Sequence, residues 1–432
     1  MKVKGKIFAN FSFVLAASIV FFSCKHYPQK NSASKASNTN KSYFLFLSDI
    51  HLDLAQTDSN LNEDTGPALW NNCKVKIDSI LNSDNPPAFV LYTGDLPAHY
   101  PRDQNKSYYL PLEKRGAHNK NTAAVLNDLR ELVRKRGIPL FYVPGNNDSM
   151  AGDYYSFADE NKQTPLSLVK EKDFEFPAVN TSENKPAHMV SMPNATMGYY
   201  SATAMKGLRI IGLNSIIFGN TYSPIDSVTQ INAGNTEMQW LANQLKDAEA
   251  SGEKVYIAMH TPPGTDAYRF ERKDPVTTMW TNKQPWLNAF LRLNEQYQTT
   301  ITGIFYGHTH LDELRLLYDS TGKKITEIAI SSPAVAPGHG NNPAFKTVNF
   351  NPVDKRITDF TTYYSILNTP VWGNGMYQFS NVFNCSPSSS MLYCLQQKTF
   401  EEINASMDKI YTAMHGKPPY KTESGIKVKW VK

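Results

Sequence analysis

An α/β fold with helices laid on a central sheet is what this sequence predicts, and three observations predict it. Short apolar, β-rich runs recur along the chain. Segments of helical pattern separate several of them. Most of the runs stop at a polar residue, often just after a glycine. Strand–helix–strand alternation belongs to layered α/β proteins, in which the loops at the carboxyl ends of the strands hold the site.

Folded sequence starts abruptly at YFLFLSD, an apolar run that ends on Asp49. AFVLYTGD (88–95), PLFYVPGNND (139–148), LRIIGLNS (208–215), KVYIAMH (254–260) and TGIFYGHTH (302–310) repeat the pattern. AAVLNDLRELVRKRG (123–137) and NTEMQWLANQLKDAEASG (235–252) read as helices, the second opening on an Asn235 cap and closing on Gly252. After about residue 358 polar and aromatic loops precede SSSMLYCLQQKTFEEINASMDKIYTAMHG, which is helical in pattern. A catalytic domain over 43–358 and a C-terminal helical extension over 359–432 are therefore expected.

The amino terminus reads as an address. Lys2, Lys4 and Lys6 precede an apolar run from Phe8 to Phe22, a signal-peptide pattern too short for a stable membrane span. FFSC ends it, with a small residue before Cys24, as at a bacterial lipoprotein processing site. Residues 1–23 would then be removed, Cys24 lipidated, and the Ser/Asn/Lys-rich 24–42 left as a flexible tether. An ordinary secretory signal or an uncleaved anchor are the other readings, and all three export the protein. The lipoprotein reading expects a periplasmic or cell-surface location. Cys385 and Cys394 flank a Ser/Pro-rich loop that a disulfide could close, and Cys73 reads as a buried thiol.

Composition bounds the class. Of 432 residues, 41% are hydrophobic and 19% charged, enough for a large core. A net charge of +5, with no run of five Lys or Arg, argues against a basic nucleic-acid patch. A monomer is expected.

The strand ends carry the chemistry. Asp49 and His51 lie two apart, so both can reach one cation. Asp95 follows Gly94, and its two oxygens can bridge two metals. Asn146 offers a neutral carboxamide oxygen, His260 ends its strand, and His308 and His310 again lie two apart. Each alone is unremarkable; together they form two four-residue sets that share Asp95. Asp49, His51, Asp95 and His310 would hold one metal, and Asp95, Asn146, His260 and His308 the other. Mixed imidazole and carboxylate donors suit zinc, iron or manganese better than calcium or magnesium. Two such ions about 3.5–4 Å apart clamp a phosphoryl group and acidify a bridging water to hydroxide.

The order D-x-H, G-D, G-N, H, G-H-x-H across residues 49–310 resembles the calcineurin-like metallophosphoesterases. YTGDLPAHY, EMQWLANQLKDAEASGEKVYIAMHTPPG, FYGHTHLDELRLLYD and SSPAVAPGHGNNPAFKTVNFN resemble the acid sphingomyelinase-like phosphodiesterase branch over about residues 43–365. The resemblance implies a four-layer α/β/β/α sandwich, two zinc ions, and hydrolysis of phosphoesters by the metal-bridged hydroxide. Residues 25–42 hold nothing like the cysteine-rich lipid-extraction module of the sphingomyelinases proper, which favours a soluble phosphodiester or phosphoanhydride. A lipid anchor would still keep the enzyme at a membrane. Many family members place a histidine directly after the metal-binding asparagine, where this chain has Asn147. His99, four residues past Asp95 and matching the branch's histidine, becomes the candidate general acid. Asn147, His339 and Tyr154 are candidate substrate contacts, whereas His118 and His188 read as surface residues. Asp312 and Glu313 are expected to orient the imidazoles or stay solvated. A phosphodiesterase leads. A polyphosphate- or nucleotide-hydrolysing phosphatase and an inactive metal-binding surface protein are the alternatives.

Overall fold

The structure, a computed structural model, describes residues 42–57, 63–100, 110, 112–159, 161–169, 177–182, 184–220, 222, 227–266, 278–366, 372, 375–415 and 427–431. The leader, Cys24 and the tether up to residue 41 lie outside them.

Two sheets form the middle of the fold. In the first, β1 (Tyr43–Leu47), β2 (Val90–Tyr92) and β3 (Leu140–Tyr142) run parallel side by side. β4 (Ala178–Val179) closes one edge, antiparallel to β3. In the second sheet β5 (His188–Ser191), β6 (Tyr200–Met205) and β7 (Leu208–Gly212) lead to the parallel trio of β7, β8 (Lys254–Ala258) and β9 (Ile301–Tyr306). β10 (Leu314–Tyr318) and β11 (Ile325–Ser331) extend it, β11 pairing parallel with β9. The first sheet gains β12 (Ala344–Phe350), antiparallel to β1, then β13 (Ile357–Tyr364) and β14 (Gly375–Gln378). β15 (Lys427–Val428) adds to the second, parallel to β10.

Alternation along each strand divides the core. Phe44, Phe46, Phe89, Leu91 and Phe141 face inward and meet Tyr256, Ala258, Phe305, Ile328 and Ile330 of the other sheet. The Phe44 ring stacks on Phe89 at 4.6 Å and meets Phe305 edge-on at 5.1 Å. The intervening Leu45, Leu47, Val90, Tyr92, Leu140 and Tyr142 turn outward onto α1 (Pro67–Leu81) and α2 (Leu112–Arg134). On the far side Val255, Ile257, Ile304 and Tyr306 pack against α3 (Ser227–Ser251) and α4 (Trp286–Gln296). The layers are therefore α/β/β/α, as expected. Strands buried on both faces read as unbroken apolar runs, which is why they stood out.

Three differences have physical reasons. α3 begins eight residues before Asn235, so Asn235 is not its cap; its carboxamide accepts a 2.9 Å bond from the Trp286 indole. Gly234 sits inside that helix because a Cβ there would lie 2.4 Å from the same ring. The domain boundary set at 358 cuts through β13, and residues 359–378 include strand that completes the first sheet. The extension becomes helical only from α5 (Phe379–Phe383), through α6 (Met391–Gln396) and α7 (Phe400–His415). Phe379, Phe383, Met391, Leu395, Ile403, Met407 and Ile410 of these helices join the inter-sheet core. A disulfide joins Cys385, two residues past the end of α5, to Cys394 in α6, and Cys73 is buried in α1. Among the described residues no helix is long and apolar enough to cross a membrane.

Candidate metal centre

Parallel strands bring their carboxyl ends to one edge of each sheet, and the seven candidate donors sit there. β1 is followed by Asp49 and His51, β2 by Asp95, β3 by Asn146, β8 by His260, and β9 by His308 and His310. Five of the seven adopt the left-handed region, with φ of 51° at Asp49, 45° at His51, 62° at Asp95, 72° at His308 and 55° at His310. Non-glycine residues rarely do so, and each case costs of order 1–3 kcal/mol, met by the surrounding packing. The glycines beside them permit the crowding. A Cβ on Gly145 would lie 2.2 Å from Asp95 Oδ1, and one on Gly307 would lie 1.9 Å from Ser48 Oγ.

The side chains converge on Asp95. Its Oδ2 lies 3.4 Å from His51 Nε2 and 3.3 Å from His260 Nε2. On one side Asp49 Oδ1 stands 3.5 Å from His310 Nε2, which is 3.1 Å from His51 Nε2. On the other, Asn146 Oδ1 stands 2.9 Å from His260 Nε2 and 2.8 Å from His308 Nδ1. His51 Nδ1 and His260 Nδ1 donate to the carbonyls of Pro97 and Thr93, at 3.1 and 2.6 Å. Their Nε2 atoms are therefore the nitrogens turned inward.

Electrostatics define which ions the cluster suits. Burial opposes charge on His51 and His260, but the hydrogen bonds and charges of Asp49 and Asp95 outweigh it and hold both near 9. Burial, then the His260 charge, pushes His308 down to about 3. Burial and the neighbouring histidines depress His310 likewise, and its Nδ1 has no hydrogen-bond partner among the described residues. Two buried carboxylates thus recruit positive charge into a space crowded with acceptors. Divalent cations fit that demand, and the mixed N/O donor set fits zinc, manganese or iron.

An outer layer, mostly invisible in sequence, holds the donors in place. Asp153 accepts a 2.7 Å bond from Asn146 Nδ2, which turns the carboxamide oxygen inward. Asp148 accepts from the amides of Asp95, Leu96 and Gly145 and from the Tyr142 hydroxyl, tying two loops together. Burial and the nearby Asp95 charge raise its carboxyl to about 6. His118 is buried, not on the surface as expected, and its Nε2 lies 3.0 Å from the Asn147 carbonyl. Asp312 and Glu313 are also not where expected. Asp312 is buried against Lys346, Thr362 and Tyr377. Glu313 bonds Arg315 and Tyr306, and Arg315 reaches the carbonyls of Pro263 and Thr265 in the loop after His260.

The remaining candidates surround the centre. Asn147 turns onto Asp95, its amide 2.8 Å from Oδ1 and its Nδ2 2.9 Å from Oδ2. Tyr154 places its hydroxyl 3.3 Å from His308 Nε2, on the outer side of that ring. His339, exposed and at φ 65°, meets the His310 ring edge-on at 4.9 Å. His99 stacks on His51 with centroids 3.8 Å apart, and 43% of its side chain is exposed. Its Nδ1 lies 2.6 Å from Asp64 Oδ1.

Residues 42–312 match the model of the calcineurin-like phosphoesterase domain. Over 294 residues the chain is 30% identical to "sphingomyelinase phosphodiesterase D" of Dictyostelium discoideum, covering 67% of this chain and 58% of that one. It is 26% identical over 298 residues to a "cyclic GMP-AMP phosphodiesterase" of Rattus norvegicus, covering 66% and 59%. The chain thus spans under two thirds of the length of these relatives. A crystal structure of a dimetal phosphatase from Danio rerio aligns with a TM-score of 0.47 at 14% identity, over 78% of this chain and 98% of that one. With more than half of its length matched by the family's model, the chain belongs to the calcineurin-like phosphoesterases.

Proposed function

We propose that this protein is an exported, binuclear metal-dependent phosphodiesterase. One observation carries the reading. A single oxygen, Asp95 Oδ2, lies 3.3–3.4 Å from inward-facing imidazole nitrogens of two separate donor sets. Asp49, His51, Asp95 and His310 would hold one ion, and Asp95, Asn146, His260 and His308 the other, as zinc or else manganese or iron. When bound, two such ions supply the Lewis acidity that activates water and neutralises phosphoryl oxygens.

The chain's own residues supply orientation and a proton. Asn147 pins both oxygens of Asp95 through its amide and carboxamide. Tyr154 and Asp153 hold His308 and Asn146 with their donor atoms inward. Hydrolysis forms one P–O bond to water and breaks one to the leaving group. Water gives up a proton, and the leaving oxygen takes one from His99 Nε2, which solvent then restores. Half-exposed His99 suits that task better than the buried imidazoles around it. Such assistance is worth roughly 10²–10⁴-fold.

A phosphodiester substrate is supported by the relatives named as phosphodiesterases. Asn147 favours a second substrate class. It stands where a second proton donor is usual in the family and is engaged with Asp95. Phosphoanhydrides such as nucleotides or polyphosphate, whose leaving group needs little protonation, also suit one acid. Export, with Cys24 as the lipid-bearing residue of a membrane-anchored protein, rests on the leader sequence.

A substrate panel tests the reading. Bis-p-nitrophenyl phosphate, p-nitrophenyl phosphate, ATP, polyphosphate and sphingomyelin are assayed with and without chelator. Turnover that chelator abolishes and divalent metal restores is expected on at least one diester or anhydride. Absence of metal-dependent turnover on all five would remove the enzymatic reading.

A further inference from the structure

We propose that Asp64 is the positioning residue for His99, fixing the imidazole so that only Nε2 is left to face substrate. The inference rests on the phosphodiesterase reading above and gives its acid a partner. It starts from a double grip. Asp64 Oδ1 lies 2.6 Å from His99 Nδ1, and Oδ2 accepts the His99 backbone N–H at 2.9 Å. One carboxylate thus holds both the ring and the main chain that carries it.

The carboxylate is itself held. Leu52 bridges in parallel to Thr65 on one side and to Pro97 on the other. The Thr65 amide donates to the His51 carbonyl, and the Ala98 amide to Leu52. Gln56 Nε2 bonds the Asp64 carbonyl at 2.8 Å. The segments that carry Asp64, His51 and His99 therefore lie side by side, and Asp64 is only 16% exposed.

Geometry at the ring sets the consequence. His99 lies flat on His51, tilted by 16°. A ring nitrogen of each of His51, His99 and His310 lies within 4.8 Å of the others. A carboxylate oxygen only accepts, so Nδ1 carries the hydrogen that meets Asp64. Nε2 is then the nitrogen that serves the leaving oxygen, and the anion opposite stabilises the ring while it is charged. Without Asp64 the ring would be free to rotate and to shift its hydrogen to Nε2.

Two measurements on the full chain test this. First, metal-loaded wild type, Asp64→Ala, Asp64→Asn, His99→Ala and the Asp64→Ala/His99→Ala double variant are compared on bis-p-nitrophenyl and diphenyl phosphate. Asp64→Ala should lower kcat about 10–100-fold on diphenyl phosphate and less than about threefold on the nitrophenyl ester, with KM unchanged. Asp64→Asn, which keeps one acceptor, should recover part of the loss. The double variant should match His99→Ala. Equal losses on both esters, or additive losses in the double variant, would overturn the role. Second, ¹⁵N imidazole spectra of the metal-free protein should show a hydrogen-bonded His99 Nδ1–H that Asp64→Ala removes. An unchanged His99 signal overturns the positioning whatever the kinetics. If wild type turns over neither ester, the phosphodiesterase reading fails, and the spectra still decide the pair.

Discussion

Replacing Gly145 with alanine should damage the centre more than the fold, and the structure sizes the effect. A Cβ at Gly145 would lie 2.2 Å from Asp95 Oδ1, 2.8 Å from Asp95 Cγ and 2.4 Å from the Asp95 backbone nitrogen. The carboxylate could rotate aside, but the backbone nitrogen cannot. The loops after β2 and β3 must then part by about 1 Å to reach ordinary contact, roughly twice the 0.5 Å tolerance of a working constellation. That movement separates Asn146 from Asp95 and strains the Asn147–Asp95 bonds. Overpacking of this kind costs about 1–3 kcal/mol, and a 1 Å misplacement about 10²-fold in rate. Gly116 is the control: it is exposed in α2, with nothing among the described residues within 4 Å of its would-be Cβ. Gly116→Ala should stabilise the protein by up to about 1 kcal/mol and leave activity intact. Urea unfolding gives the stability, and elemental analysis after gel filtration gives the bound metal. If Gly145→Ala keeps wild-type metal content and kcat/KM, the proposed coupling of the two loops through Asp95 is wrong.

Two further outcomes are expected. Glu327 is buried on β11, and burial, opposed by Arg356, raises its carboxyl to about 7 from 4.5. A raised acid contributes stability that is complete below about pH 4.5 and is lost as pH rises through 7, here at most about 3 kcal/mol. Glu327→Gln should therefore gain on wild type in unfolding free energy between pH 5 and 8; a gap that stays constant contradicts this. Cys24→Ser should release the protein from the membrane fraction of the expressing cell, and full retention there would contradict lipidation at Cys24.

The seven candidate donors stood out in the sequence because each sits in a short motif at the end of an unbroken apolar run. Glycines at 94, 145 and 307 marked the close approaches. Less visible was everything that depends on contacts between distant segments. Asp64, Asp153 and His118 reach the centre through hydrogen bonds that no periodicity announces. His118 looked superficial because the apolar pattern of α2 begins only at residue 123, whereas the helix starts at Leu112. Asp148 was in plain view within GNND, yet its bonds to the loop after β2 appear only in three dimensions. Asp312 and Glu313 were misplaced because proximity in sequence to His310 suggested a role beside it. Lys346 and Arg315 draw them elsewhere. β13 and β14 read as loop because polar residues interrupt them, and pairing of β13 with β12 and of β14 with β13 decides their state.

Metal content of wild type and Asp95→Asn, measured side by side by elemental analysis, tests the shared carboxylate most directly. Two divalent ions per chain in wild type, falling below one in the variant, is the predicted result. Fewer than one ion per wild-type chain, with no change in Asp95→Asn, would contradict it.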